Sequence, residues 1–173
     1  AAGNSAADAS GYRPANCNNV ITVAATNIAG ERAYYSNYGN LVDLAAPGGD
    51  GGGYIASTLN SGTQSPGNDN YVTYQGTSMA TPHVAGIAAL MYLKDNALGA
   101  AQIEGLLKSS ARDFPTGCSG CGAGIANAGA AVSAAAGGTP IVEIPATPTL
   151  TSVDNNGDGT ATVHWIDSDN EDS

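Results

Sequence analysis

The chain has 173 residues, 42% of them hydrophobic, enough for one ordinary domain with its own core. Its net charge is −10, from five Lys plus Arg against fifteen Asp plus Glu, which argues against nucleic acid or an anionic membrane surface as a partner. No apolar run approaches the ~18–20 residues of a membrane span. Aromatics are few, at 6%, and glycines number 24, so close backbone packing and many turns are expected in place of bulky side-chain filling.

In chain order, Ala1-Ala2-Gly3-Asn4 reads as a strand running into a turn. Residues 5–19 are polar and loop-like, with Gly11 and Pro14. Val20 to Ala25 is a short apolar, β-branched run, the pattern of a buried parallel strand. Residues 26–40 turn back through Asn27, Gly30 and Gly39, and Leu41 to Ala46 forms another strand, closed by Pro47-Gly48. Asp43 is the only charge inside it and by itself reads as a solvated strand-end carboxylate. Residues 49–70 are rich in Gly, Ser and Asn, a surface excursion with one short strand over 54–59. Tyr71 to Gln75 then leads into the next turn.

Gly76-Thr77-Ser78-Met79-Ala80-Thr81-Pro82-His83-Val84-Ala85-Gly86 organises the rest. Gly76 permits a sharp turn, and Thr77 or Ser78 supplies the oxygen that a helix start wants. With Ser78 as N-cap, Pro82 is the fourth helical residue, where its missing N–H costs nothing. The run continues into Ile87–Leu93, so the helix is apolar all round and expected to be buried on every side. A hydroxyl at its positive end is well placed for nucleophilic work.

Gly99 to Ala111 reads as an amphipathic helix with Ile103, Leu106 and Leu107 on one face. Cys118-Ser119-Gly120-Cys121 lacks the second pair of a zinc site and the strand and helix of a redox motif. A short structural disulfide between Cys118 and Cys121 is the better reading, and it leaves Cys17 as a free thiol or paired outside this chain. Residues 138–149 form a Pro/Thr/Gly linker. Residues 150–173 begin with a hairpin, Leu150–Val153 and Thr160–Trp165, too short to bury a sandwich core. Asp154, Asn156 and Asp158 mimic an EF-hand loop, but Trp165 stands at its twelfth position, so a hairpin turn is preferred.

The stretch from Gly76 to Gly86 resembles the serine motif of the subtilase family of peptidases, almost letter for letter. Ala1-Ala2-Gly3-Asn4 is similar to that family's oxyanion segment, Ser36-Asn37-Tyr38-Gly39 to its Ser-x-Tyr-Gly stretch, and Gly122-Ala123-Gly124 with the alanine-rich run after it to its last helix. The resemblance covers about residues 1–136. It implies an α/β fold, a parallel-sheet, three-layer subtilisin-like half-domain over residues 1–137, followed by the truncated start of a fibronectin-type-like β-sandwich.

It also implies roles. Ser78 would be the nucleophile of an acyl-enzyme mechanism, and the Asn4 amide with the Ser78 N–H would bind the oxyanion. Ala1, Ala2 and Gly3 would line the pocket for the residue before the scissile bond, and Tyr74 would border the leaving-group side. Met79 would be the oxidisable neighbour. Asp43, with carbonyls near Asn18 and Val20, would hold a structural calcium ion. The family order Asp, His, Ser puts the first two members upstream. His83 is a packing residue in the family, and His164 sits in the detached hairpin, so neither replaces the base. The expectation is therefore the C-terminal part of a secreted serine endopeptidase acting on protein or peptide substrates. It would be inactive without an upstream half that carries the Asp and His. Two rivals remain: an α/β-hydrolase-type esterase, against which Ala80 breaks the Gly-x-Ser-x-Gly elbow, and a non-catalytic binding remnant.

Overall fold

The computed structural model describes residues 1–137 and the strand residues 149–155 and 161–166. The chain divides into two units, Ala1–Ile141 and Val142–Ser173. The first is built on a parallel pair, β1 (Val23–Thr26) and β2 (Leu44–Pro47), with Val23 opposite Leu44. Both strands start later than their apolar runs, since the stretch at Asn18–Val20 stays exposed. Single pairings extend the sheet at both edges. The Ala2 N–H donates to the Val23 carbonyl at 2.9 Å, and the Ala126 N–H donates to that of Ala45 at 2.8 Å.

Strand alternation sorts these short side chains onto two faces. Val23, Ala25, Leu44 and Ala46 join a cluster with Tyr35, Ala80, Val84, Met91 and Leu107. Ala24 and Ala45 join Ala2, Ala9, Ala15 and Val42 on the other side. Helices cover the first face: α1 (Thr77–Lys94) lies on both strands, beside α2 (Ala100–Ser109) and α3 (Ala128–Ala135). A parallel strand pair with packed helices is an α/β arrangement.

The helix α1 buries Thr77, Ala80, Val84, Ile87 and Met91, a single stripe at spacings of three and four. Its other face is open, with Leu90 51% and Leu93 81% exposed. The expectation of a helix buried on every side is thus corrected, because only one stripe finds partners among the described residues. In α2, Leu107 is buried while Ile103 and Leu106 pack against the same cluster, as the periodicity predicts. Asn127 caps α3 by accepting the Ala130 N–H at 3.1 Å.

Between β2 and α1 the polar excursion is an antiparallel ribbon, β3 (Ile55–Asn60) against β4 (Asp69–Tyr74), with Ile55 opposite Tyr74. No residue of either strand is buried. Cys118 and Cys121 form the expected disulfide, with Cα atoms 5.6 Å apart, and Cys17 is exposed and free. In the second unit β5 (Thr149–Asn155) pairs antiparallel with β6 (Ala161–Ile166), Thr149 opposite Ile166. Of the linker predicted over 138–149, Thr149 opens β5 instead, while residues 138–148, the turn with Asn156 and Asp158, and the side chains of His164 and Trp165 lie outside the described residues.

Candidate active site

The serine is delivered by a strand-to-helix junction. Where β2 ends, the Gly48 carbonyl accepts the Gly76 N–H at 2.8 Å, and Gly76 then turns with φ +149° into α1. That φ is disfavoured for any side-chain-bearing residue, so glycine is required here. Ser78 follows as the second helical residue and is exposed, while Thr77 before it is fully buried. The Ser78 N–H belongs to the first turn, which has no intrahelical acceptors and carries the positive end of the helix dipole.

The cap differs from the sequence expectation. Neither Thr77 nor Ser78 is the N-cap; Gly76 is, and no side chain of its own caps the helix. The missing acceptor comes from Asn4, 73 residues earlier. Its Oδ1 accepts the Thr77 N–H at 2.9 Å and the Thr77 hydroxyl at 2.8 Å, and the Gly3 N–H donates to Thr77 Oγ1 at 3.1 Å. With its oxygen engaged, the amide offers its nitrogen. A methyl built on Gly76 would lie 3.3 Å from Asn4 Nδ2 and 3.7 Å from both the Ser78 nitrogen and Met79 Sδ, so the two N–H donors lie close together beside Gly76.

Because α1 begins at Thr77, Pro82 falls at its sixth residue and not its fourth. There it deprives the Ser78 carbonyl of an i→i−4 partner. Side chains brace the neighbouring carbonyls: the Thr81 hydroxyl donates to Thr77 at 2.8 Å, and His83 Nδ1 lies 2.8 Å from that of Met79. His83 is exposed, not packed, and its ring is tied to the helix backbone. Among the residues expected to meet substrate, Ala2 is 0% exposed in the core cluster, and its N–H and carbonyl are taken by Val23 and Asn37, so as arranged it lines no pocket. Tyr74 is half exposed at the end of β4.

The residues expected to hold calcium do not fit that ion as arranged. Asp43 Oδ2 accepts the Thr22 N–H at 2.8 Å, and Asp43 Oδ1 takes the Lys108 ammonium at 2.9 Å. The Lys108 ammonium already sits on Oδ1, and a divalent ion at ~2.4 Å from the same oxygen would meet its charge at close range. The Asp43 hydrogen bond is the main cause that raises the Lys108 pKa above its usual 10.5. Asn18 and Val20 are exposed.

Three contacts that matter to this geometry are not legible in the sequence: Thr77 as the anchor of Asn4, Lys108 on Asp43, and Asn37 beneath the Asn4 segment. Each acts across 30 residues or more.

Residues 1–160 match the model of the subtilase family, Peptidase_S8. An extracellular protease of Xanthomonas campestris is 56% identical over 154 residues, which are 88% of this chain and 26% of that protein. An extracellular basic protease of Dichelobacter nodosus is 42% identical over 142 residues, 79% of this chain and 23% of that one. Among solved structures, a protease of Pseudoalteromonas arctica superposes with a TM-score of 0.74 at 48% identity, covering 78% of this chain and 41% of that chain. The chain therefore spans about a quarter of the length of these curated relatives.

Proposed function

The chain belongs to the subtilase family, and from that premise we propose that it carries the nucleophile and oxyanion donors of a serine endopeptidase whose base lies elsewhere. The observation that supports this most is the pair of N–H donors, Asn4 Nδ2 and Ser78 N, brought together beside Gly76 next to the exposed Ser78. In this reading Ser78 Oγ attacks the scissile carbonyl carbon and its proton passes to a histidine base. The carbonyl oxygen gains the negative charge and is met by the two donors, which are worth most where charge develops. The histidine returns the proton to the leaving amine as the C–N bond breaks, and water repeats the cycle on the acyl-enzyme.

The base and its orienting Asp come from an upstream segment of the complete peptidase, for which the chain's 26% share of a relative leaves room. His83 is tied to Met79 and faces away. The open face of α1, with Leu90 and Leu93, offers that segment an apolar seat. Family membership sets the α/β-hydrolase reading aside. Secretion fits the extracellular relatives and the Cys118–Cys121 disulfide.

A fluorophosphonate probe tests the assignment. Ser78 is expected to be labelled in the complete catalytic domain, to lose the label in Ser78→Ala, and to stay unlabelled in this chain alone. Prompt labelling of the isolated chain would place the base within it. A folded complete domain that never labels would leave a non-catalytic remnant.

A further inference from the structure

We infer that Asn37 is a positioning residue that fixes the Asn4 amide for the oxyanion, an inference that rests on the peptidase reading above. Asn37 is 0% exposed. Its backbone N–H donates to the Gly3 carbonyl at 2.9 Å and its Nδ2 to the Ala2 carbonyl at 2.9 Å. Its Oδ1 accepts the N–H groups of Ser5 at 2.9 Å and Ala7 at 3.2 Å. The partners are residues 2, 3, 5 and 7, on both sides of Asn4, and Asn4 itself is not among them.

Asn4, Ser5 and Ala6 are exposed, and Ala6 sits at φ +49°. The loop is also held by backbone bonds to the same segment, the Ala6 N–H donating to the Tyr35 carbonyl at 2.8 Å and the Tyr38 N–H to that of Ala7 at 3.1 Å, and by Thr77 at Gly3 and Asn4. Among these, the buried Asn37 amide is the side chain that ties residues 2, 5 and 7 together. Gly3, at φ +109°, passes so close that a Cβ there would collide with Asn37 Nδ2, and the loop is seated directly on this side chain. Asn37 is in turn anchored to the core, since the Ser36 hydroxyl donates to the Asn37 carbonyl at 3.0 Å and accepts the Ala25 N–H of β1 at 2.9 Å. The path runs from a core strand through Ser36 and Asn37 to the loop, and the loop carries the donor. Catalytic donors lose their value when displaced by fractions of an ångström, so the loop's clamp and the donor's effect are coupled.

The test uses the complete catalytic domain, with kcat and KM read on a peptide amide substrate well below each variant's melting temperature. Asn37→Ser is expected to lower kcat roughly ten- to a hundredfold with KM within about threefold. In an Asn4→Ala background the same change is expected to lower kcat less than about twofold, because the amide it positions is gone. Equal losses in both backgrounds, or an unchanged kcat in the single variant, would overturn the inference. Should Asn37→Ser fail to fold, Asn37→Asp, which keeps both acceptor contacts, is compared in the same two backgrounds. An Asn4→Ala enzyme as fast as the parent would instead refute the oxyanion assignment itself.

Discussion

Replacing Lys108 by Met in the complete catalytic domain asks whether Asp43 is served by an ammonium or by a metal. Met keeps the aliphatic stem and removes only the charge. Lys108 Nζ lies 2.9 Å from Asp43 Oδ1, between side chains 40% and 16% exposed, and 3.3 Å from Glu104 Oε1. Since Lys108 is more than a third exposed, the Asp43 pair takes the screened value of about 0.2–1 kcal/mol, and the i,i+4 pair with Glu104 adds about 0.3–0.5. The sum is about 1 kcal/mol, or no more than ~2 °C in Tm for a catalytic domain of roughly 300 residues, in which this chain is less than half. Thermal melts of the parent, Lys108→Met, Asp43→Asn and the double variant, each in calcium and in chelator, measure it. The double variant is expected to be no worse than the poorer single one, and Asp43→Asn to leave any calcium response of the parent unaltered. A calcium-dependent rise in Tm that Asp43→Asn abolishes in the Lys108 protein would show that the carboxylate binds the metal after all.

Thr77→Val keeps the buried shape but removes the hydroxyl that joins Asn4 Oδ1 and the Gly3 N–H. Two hydrogen bonds at ~1 kcal/mol each set the expected stability loss, with kcat about tenfold lower and KM little changed; full kcat would show that Asn4 needs no such anchor. Gly76→Ala puts a methyl 3.3 Å from Asn4 Nδ2 at a φ of +149°. We expect a folding cost of about 1–3 kcal/mol and a kcat loss approaching that of removing the donor, a loss known as roughly 10²–10³ from subtilisin, a member of this family, and not worked out from this structure; a fully active Gly76→Ala enzyme would contradict the placement of the two donors. At alkaline pH, Tyr35 matters. Burial is the main cause that pushes its phenol up from 10 to about 12, and its hydroxyl lies 2.9 Å from the Gly48 carbonyl. A raised pKa favours folding fully below pH 10 and loses that contribution as the pH climbs through 12, so Tyr35→Phe is expected to flatten the fall in urea-melt stability across that window. An unchanged slope would mean that Tyr35 does not titrate with unfolding.

What the sequence disclosed, and what it hid, divides by distance along the chain. The serine stretch, the two apolar runs that become β1 and β2, and the face of Ile103, Leu106 and Leu107 are local patterns, and each forms the expected kind of element, the strands starting three residues later than their runs. The start of α1 departs from expectation because its local rule is sound but incomplete. Thr and Ser are good caps, yet Thr77 is buried as the first helical residue and the capping oxygen arrives from Asn4. Pro82 shifts with it, since its position is counted from the cap. Asp43 reads as a solvated carboxylate because nothing nearby announces Lys108, 65 residues away.

These displacements share one cause, and it bears on how the site works. The residue whose oxygen accepts the Thr77 N–H is the same residue whose amide nitrogen lies near the Ser78 N–H beside Gly76. A self-sufficient cap at Thr77 or Ser78 would leave Asn4 Oδ1 without its partner, and the amide would be free to turn. By leaving the helix start uncapped within its own sequence, the chain makes the helix of the proposed nucleophile and the loop of the proposed oxyanion donor depend on each other. Closing the helix end and aiming Nδ2 then become a single event. A substitution that gave α1 a local cap would be expected to cost catalysis while helping the helix, the reverse of what capping statistics alone would predict.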